Sequence, residues 1–249
     1  MTIMKIYAIG WDVRGWQSED QATAVAKFDL RSNDFSWLGI SPLFRFQSGT
    51  KPSLKDLVVP ACGTAGLNEI LASDNCVVAI DAPLSLPKAL ITLANGYADD
   101  LVVPEREIDN PLAYRDCERW IKAKLGKKPL SASFDKLGNN ASLAQSVALR
   151  LKAEGFTIVP QKGATMSKAV IEVYPGLLKV GNKTASPVRD ELKRYIPKSL
   201  ELGSDQYDAA ICALVGLSYM GAGSAMAIGD TLPFDRNFDR SEGWIYTII

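Results

Sequence analysis

Residues 76–83, CVVAIDAP, form an apolar run interrupted only by Asp81 and closed by Pro83. A run without polar alternation predicts a central strand covered on both faces. A sheet buried on both sides needs helices above and below it, which places the chain among α/β folds. Residues 168–174, KAVIEVY, read as a second buried strand that stops at Pro175. Residues 4–11, MKIYAIGW, read as a first strand leading into Asp12. Residues 21–30 and 34–40 read as two more, joined by the polar turn Arg31-Ser32-Asn33. Three strands with short turns predict an antiparallel meander, so the expected sheet is mixed: a meander plus parallel strands.

Helices are expected at 64–73, 111–125, 141–154, 187–195 and 205–219, the last capped by Ser204. The Pro-, Gly- and Lys-rich stretch 42–60 reads as a connection. Residues 84–165 show no strand pattern until FTIVP at 156–160, so they read as a helical insertion within one domain spanning 1–249. The tail GWIYTII reads as a short final strand. Residues 209–229 carry no charge over 21 positions, long enough to span a bilayer. Gly216, Gly221 and Gly223 lower the helix propensity there, so a buried helix followed by a loop is expected, and no membrane association. Asp12 comes too early for a signal-peptide apolar core. Cys62, Cys76, Cys117 and Cys212 form no CxxC pair, which predicts reduced thiols and a cytoplasmic protein.

The chain has no histidine, and 28 basic residues balance 28 acidic ones. Without an imidazole, Ser-His-Asp and Cys-His catalysis are excluded, as is a His-built zinc site. Net neutrality gives no support to nucleic-acid binding through global charge. Carboxylate, lysine, tyrosine and cysteine remain for acid–base or metal chemistry.

Three predicted strands each hold one acid: Asp12, Asp81 and Glu172. A carboxylate in an apolar strand is costly unless it is paired, protonated or metal-bound. Asp205 and Asp208 lie one turn apart on the last helix. Singly, such residues often serve as turn or helix-end groups. Together, at one sheet edge, they would repel one another. A hard divalent cation, Mg²⁺ or Mn²⁺, relieves that repulsion through oxygen ligands. Such ions can activate water at a phosphodiester with no protein base.

The motifs IGWDVRGW (9–16), VAIDAPLSLP (78–87), YRDCERW (114–120), IEVYPGLLK (171–179), SDQYDAAICAL (204–214) and EGWIY (242–246) occur in that order. Together they resemble the family known as domain of unknown function 429, described as predicted nucleases of ribonuclease H-like fold, over nearly the whole chain. The resemblance implies a ribonuclease H-like mixed sheet flanked by helices. It also implies a metal-dependent nuclease in which Asp12, Asp81, Glu172 and Asp208 are catalytic and hold the metal with Asp205. The family often carries His in its Glu-Val-x-Pro motif, where this chain has Tyr174.

Six bases and two acids lie between Leu112 and Lys128, and Arg115, Arg119 and Lys122 fall near one helical face. These three are expected to contact substrate phosphate; a solvated face is the competing explanation. Trp120 is expected in the core, Ser131 and Ser133 at a cap or turn, and Cys117 has no histidine to activate it. The leading expectation is a metal-dependent phosphodiester hydrolase acting on nucleic acid or a small phosphodiester. Alternatives are an actin-like small-molecule phosphotransferase, since Asp12 is followed by Gly15, and a non-catalytic binding module.

Overall fold

The computed structural model describes residues 5–97, 101–134, 137–160, 167–181, 186–235 and 237–249. Met4 of the first expected strand, and residues 98–100, 135–136 and 161–165 of the expected insertion, lie outside the described residues. The strands are β1 (Lys5–Asp12), β2 (Ala22–Asp29), β3 (Asp34–Ile40), β4 (Cys76–Asp81), β5 (Thr157–Ile158), β6 (Lys168–Val173) and β7 (Ile245–Tyr246). They form one mixed sheet in the order β3-β2-β1-β4-β6-β5, with β7 also on β6. β2 runs antiparallel to both β1 and β3, while β1, β4, β6, β5 and β7 are mutually parallel. The expected meander and buried parallel strands are therefore both present.

Two helices cover one face of the sheet. α1 (Leu54–Leu71) and α4 (Leu137–Ala153) contribute Leu57, Ile70, Leu143, Val147 and Leu151 to a core with Ile9, Trp11, Val78 and Ile80. The opposite face carries α6 (Asp205–Leu217). Every residue of α6 from Tyr207 to Leu217 is buried, as expected for a helix apolar on all sides. Trp244, Ile245 and Ile248 join the same core as α6. α6 lies very close to the sheet: a Cβ on Gly10 would sit 2.0 Å from the Ala209 carbonyl oxygen. Shorter helices α2 (Lys88–Ala94), α3 (Asp116–Leu125) and α5 (Asp190–Lys193) lie in the connections.

Several boundaries differ from expectation. α1 begins ten residues early, because Leu54, Leu57 and Val58 bury their side chains despite Pro60, and the chain kinks at Gly63 instead. Asp56 accepts hydrogen bonds from the backbone N–H and hydroxyl of Ser53 and fixes that start. α3 begins at Asp116 and not at 111, since Arg115 is its extended N-cap. It stops at Gly126 (φ 72°) as expected. The helix expected over 187–195 shrinks to one turn, because Val188 instead pairs with Lys179 in a bridge. α2 was not foreseen. The uncharged stretch 209–229 divides into most of α6 and a turn at Gly221 (φ 92°). Among the described residues, no helix is long and apolar enough to cross a membrane.

Candidate functional site

Asp12 and Asp81 are register partners at the carboxyl ends of adjacent parallel strands. Residues opposite one another in neighbouring strands point to the same side, so both carboxylates stand on the α6 face, in line with Gly10 and Ala79. α6 runs back over this face, and its first turn delivers Asp208. The missing side chain at Gly10 is what lets that turn approach, since Ala209 and Ala213 touch the space a Cβ would fill. Asp12, Asp81 and Asp208 thus line one cavity of about 300 Å³.

Bases answer these acids. Arg14 Nε lies 3.2 Å from Asp12 Oδ2, and the same guanidinium bonds Asp205. Lys179 Nζ lies 2.7 Å from Asp208 Oδ1 and 2.8 Å from its Oδ2. The compensation is incomplete. Asp12 Oδ2 is buried and carries no hydrogen bond. Burial first, then the Asp81 charge, hold the Asp12 carboxyl well above the usual carboxylate range, against the pull of Arg14. Burial and Asp208 push Asp81 up to about 7, against Lys179 and Arg14. Burial likewise raises Asp208, with Lys179 opposing. Three acids crowd a poorly solvated space and resist carrying three charges.

Glu172 lines the same cavity but has other partners. It is in register with Ile80, so it leaves the sheet on the face opposite Asp81. Its two oxygens accept from the Arg115 guanidinium at 2.5 and 2.8 Å, and the Leu84 N–H donates at 2.9 Å. Arg115 is fully buried and also bonds Glu118 at 2.8 Å. Glu242 accepts from the backbone N–H groups of Lys88 and Asp116, both at 2.8 Å. This second cluster ties β6, α3 and the starts of α2 and α3 together.

None of the three bases expected to contact phosphate lines the cavity. Arg115 is spent on Glu172. Arg119 folds back onto the Tyr114 carbonyl and Asp116, and exposed Lys122 bonds the Gly126 carbonyl. The bases that do line it are Arg14, Lys127 and Lys179. Each stands within a motif or charge run visible in the sequence, but only the fold shows which ones turn inward. Tyr174 also lines the cavity. Its hydroxyl is raised by burial and then by Asp81 and Asp208. Trp120 packs on Trp244 as core. Ser131 bonds the Ala113 carbonyl at 2.8 Å. Cys117 is buried and its thiol is pushed far up by that burial, which leaves it inert. All four cysteines are free.

Residues 56–232 match the model of a family described as Protein of unknown function (DUF429). The chain belongs to the DUF429 family. The match includes Asp81, Glu172, Asp205 and Asp208 and begins within α1, so Asp12 and the meander lie outside it. No curated protein and no solved structure matches the chain. Among the described residues of this DUF429 chain, no group of three or more Asp, Glu or Cys side chains is arranged so that it could hold a metal ion. Arg14 pairs with Asp12 and Asp205, and Lys179 with Asp208. The donor chemistry still suits a hard cation: all donors are oxygen, Asp12 Oδ2 lacks a hydrogen bond, and the acids repel one another.

Proposed function

We propose that this DUF429 protein is a divalent-metal-dependent phosphodiester hydrolase built on a ribonuclease H-like sheet. The observation that carries the reading is the convergence of Asp12, Asp81 and Asp208 on one cavity that also holds Arg14, Lys127 and Lys179. Acids for a cation beside bases for an anion are what phosphoryl chemistry asks of a protein site. The strand order β3-β2-β1-β4-β6, with only β2 reversed, supports the fold. So does the placement of the acids at the ends of β1 and β4 and on the last long helix.

Asp12 and Asp81 would hold a Mg²⁺ or Mn²⁺ ion, with Asp208 as the third donor. When bound, the ion would polarise a phosphoryl oxygen and acidify a water molecule. The protein's own groups have separate work. Arg14 and Lys179 balance the acids before the ion enters, and Lys127 offers positive charge to the phosphate. Glu172 serves by holding Arg115, which braces the wall of the cavity; it is not assigned a metal here.

The test is cleavage by purified protein, with Mn²⁺ or Mg²⁺, of single-stranded, duplex and hybrid nucleic acid and of a small chromogenic phosphodiester. Activity should fall by orders of magnitude in Asp12→Asn and Asp81→Asn. Equal activity in wild type and both variants would show that the cleavage is a contaminant's and would end the proposal. Mn²⁺ should also raise the wild-type melting temperature, as any ligand of the folded state does, and not that of Asp81→Asn.

A further inference from the structure

We infer that the cavity takes a small phosphate-bearing anion of mononucleotide size, with its phosphate on Lys127, and does not admit an intact duplex. The inference rests on the phosphodiester reading of the site and deepens it to a substrate class.

Two features of the cavity lead there. The first is size. About 300 Å³ is available, the lower end of the roughly 300–1,000 Å³ of small-molecule sites. Part of its lining is the segment after α3. Gly126 ends the helix in a left-handed conformation (φ 72°) and turns the chain, and Lys127, Pro129 and Leu130 of the segment that follows line the same cavity as the aspartates. Ser131 pins that segment to the Ala113 carbonyl. Asn140 of α4 also lines it and bonds the Val13 carbonyl at 2.5 Å. A cavity of that volume has room for a single nucleotide or a strand end, not for the flank of a double helix.

The second is charge. Arg14 is committed to Asp12 and Asp205, and Lys179 to Asp208. Lys127 has no carboxylate partner among the described residues. It donates to the Gly176 carbonyl, and its ammonium lies 5.9 Å from the centre of the Tyr174 ring. Burial and then Lys179 lower the Lys127 ammonium's pKa, and its partners, a neutral carbonyl and an aromatic ring, bring no negative charge to compete with an incoming anion. Pro129, Leu130 and Tyr174 beside it give the apolar part of such a ligand a surface.

The experiment measures binding of the four nucleoside 5′-monophosphates by calorimetry, with and without Mn²⁺, to wild type, Lys127→Met and Lys122→Met. A 20-base-pair duplex is added as competitor. At least one mononucleotide should bind, and Lys127→Met should weaken it about tenfold or more, the loss of one charge-assisted hydrogen bond. Lys122→Met, on the exposed face of α3, should bind as wild type does, and the duplex should not compete. Melting curves check that Lys127→Met is folded, and Lys127→Arg should retain most of the affinity. Absence of mononucleotide binding at millimolar concentration, wild-type affinity in folded Lys127→Met, or equal competition by duplex each overturns the inference. Binding that meets every condition in a protein that cleaves no phosphodiester sinks the hydrolase reading and leaves the small-anion site. Cleavage of polymers without mononucleotide binding does the reverse.

Discussion

Two charge clusters meet at one cavity, and they are built on opposite rules. Around Arg115, every carboxylate oxygen of Glu172 and Glu118 accepts at least one hydrogen bond. Around Asp81, one oxygen of Asp12 accepts none, and the three aspartates face each other across bases that only partly offset them. A satisfied buried network holds a wall in place. In the other, Arg14 and Lys179 stand beside Asp12 and Asp208 without satisfying every oxygen, so the carboxyls stay raised, an arrangement more often met at functional sites than in structural clamps.

The sharpest way to break this contrast is to remove one member from each cluster. Arg115→Met leaves Glu172 and Glu118 buried without their cation. Removing one partner of a buried pair costs about 3–5 kcal/mol, so urea unfolding should show a loss of that order. A loss under about 1 kcal/mol would mean that the Arg115 cluster is not a structural clamp.

Asp81→Asn should do the opposite in metal-free protein. The folded-state carboxyl titrates near 7 and the unfolded one near the ordinary 3.8. Between those values the folded state binds more protons, so wild-type stability falls as pH rises from about 4 to about 7. The fall attributable to this group is at most about 4 kcal/mol. Asparagine cannot lose a proton, so Asp81→Asn should flatten the profile and be the more stable protein at pH 8. A flat wild-type profile in denaturation series at pH 5 and pH 8 would remove the electrostatic difference between the clusters.

The sheet was legible in the sequence because its cause is local. CVVAID is apolar up to Asp81, KAVIEV is apolar apart from Lys168 and Glu172, and Asp12, Asp81 and Asp208 stood out as acids at the ends of such runs or on a capped helix. Which face Glu172 takes was not legible. Its strand position resembles Asp81's, but register places it opposite Ile80, on the other face, and register is a property of pairing between strands distant in sequence. Arg115 read as a surface base for the same reason: a helical pattern gives a face, and only the tertiary fold shows that Ser85, Glu172 and Glu242 stand before it. The early start of α1 shows packing overriding a proline signal.

Gly10→Ala probes how the acidic cluster is assembled. Its Cβ would meet backbone atoms of Ala209 and Ala213 at 2.0 and 2.4 Å, so the helix must shift. Overpacking of this kind costs about 1–3 kcal/mol. Because Asp208 adjoins the displaced residue, the Mn²⁺-induced melting shift should shrink as well. Ala8→Gly, on the same face one position pair below, should cost stability without touching the metal response. If Gly10→Ala keeps the full Mn²⁺ shift, the close approach of α6 does not position Asp208.

The smallest expected effect tests whether the two clusters are independent. Ser204 is the N-cap of α6, with its hydroxyl accepting from the Tyr207 N–H at 3.2 Å. Ser204→Ala removes that acceptor and should cost about 1 kcal/mol, while Ser204→Asn, which can cap, should cost less. The capped turn carries Asp208 but no member of the Arg115 cluster. Sites without shared partners add to within about 0.5 kcal/mol. Ser204→Ala combined with Arg115→Met should therefore lose the sum of the single losses, whereas Ser204→Ala combined with Lys179→Met should depart from it, because both act on Asp208. Strong coupling between Ser204 and Arg115 in urea unfolding would mean that clamp and acidic cluster respond as one unit, and that the wall and the site cannot be assigned separate roles.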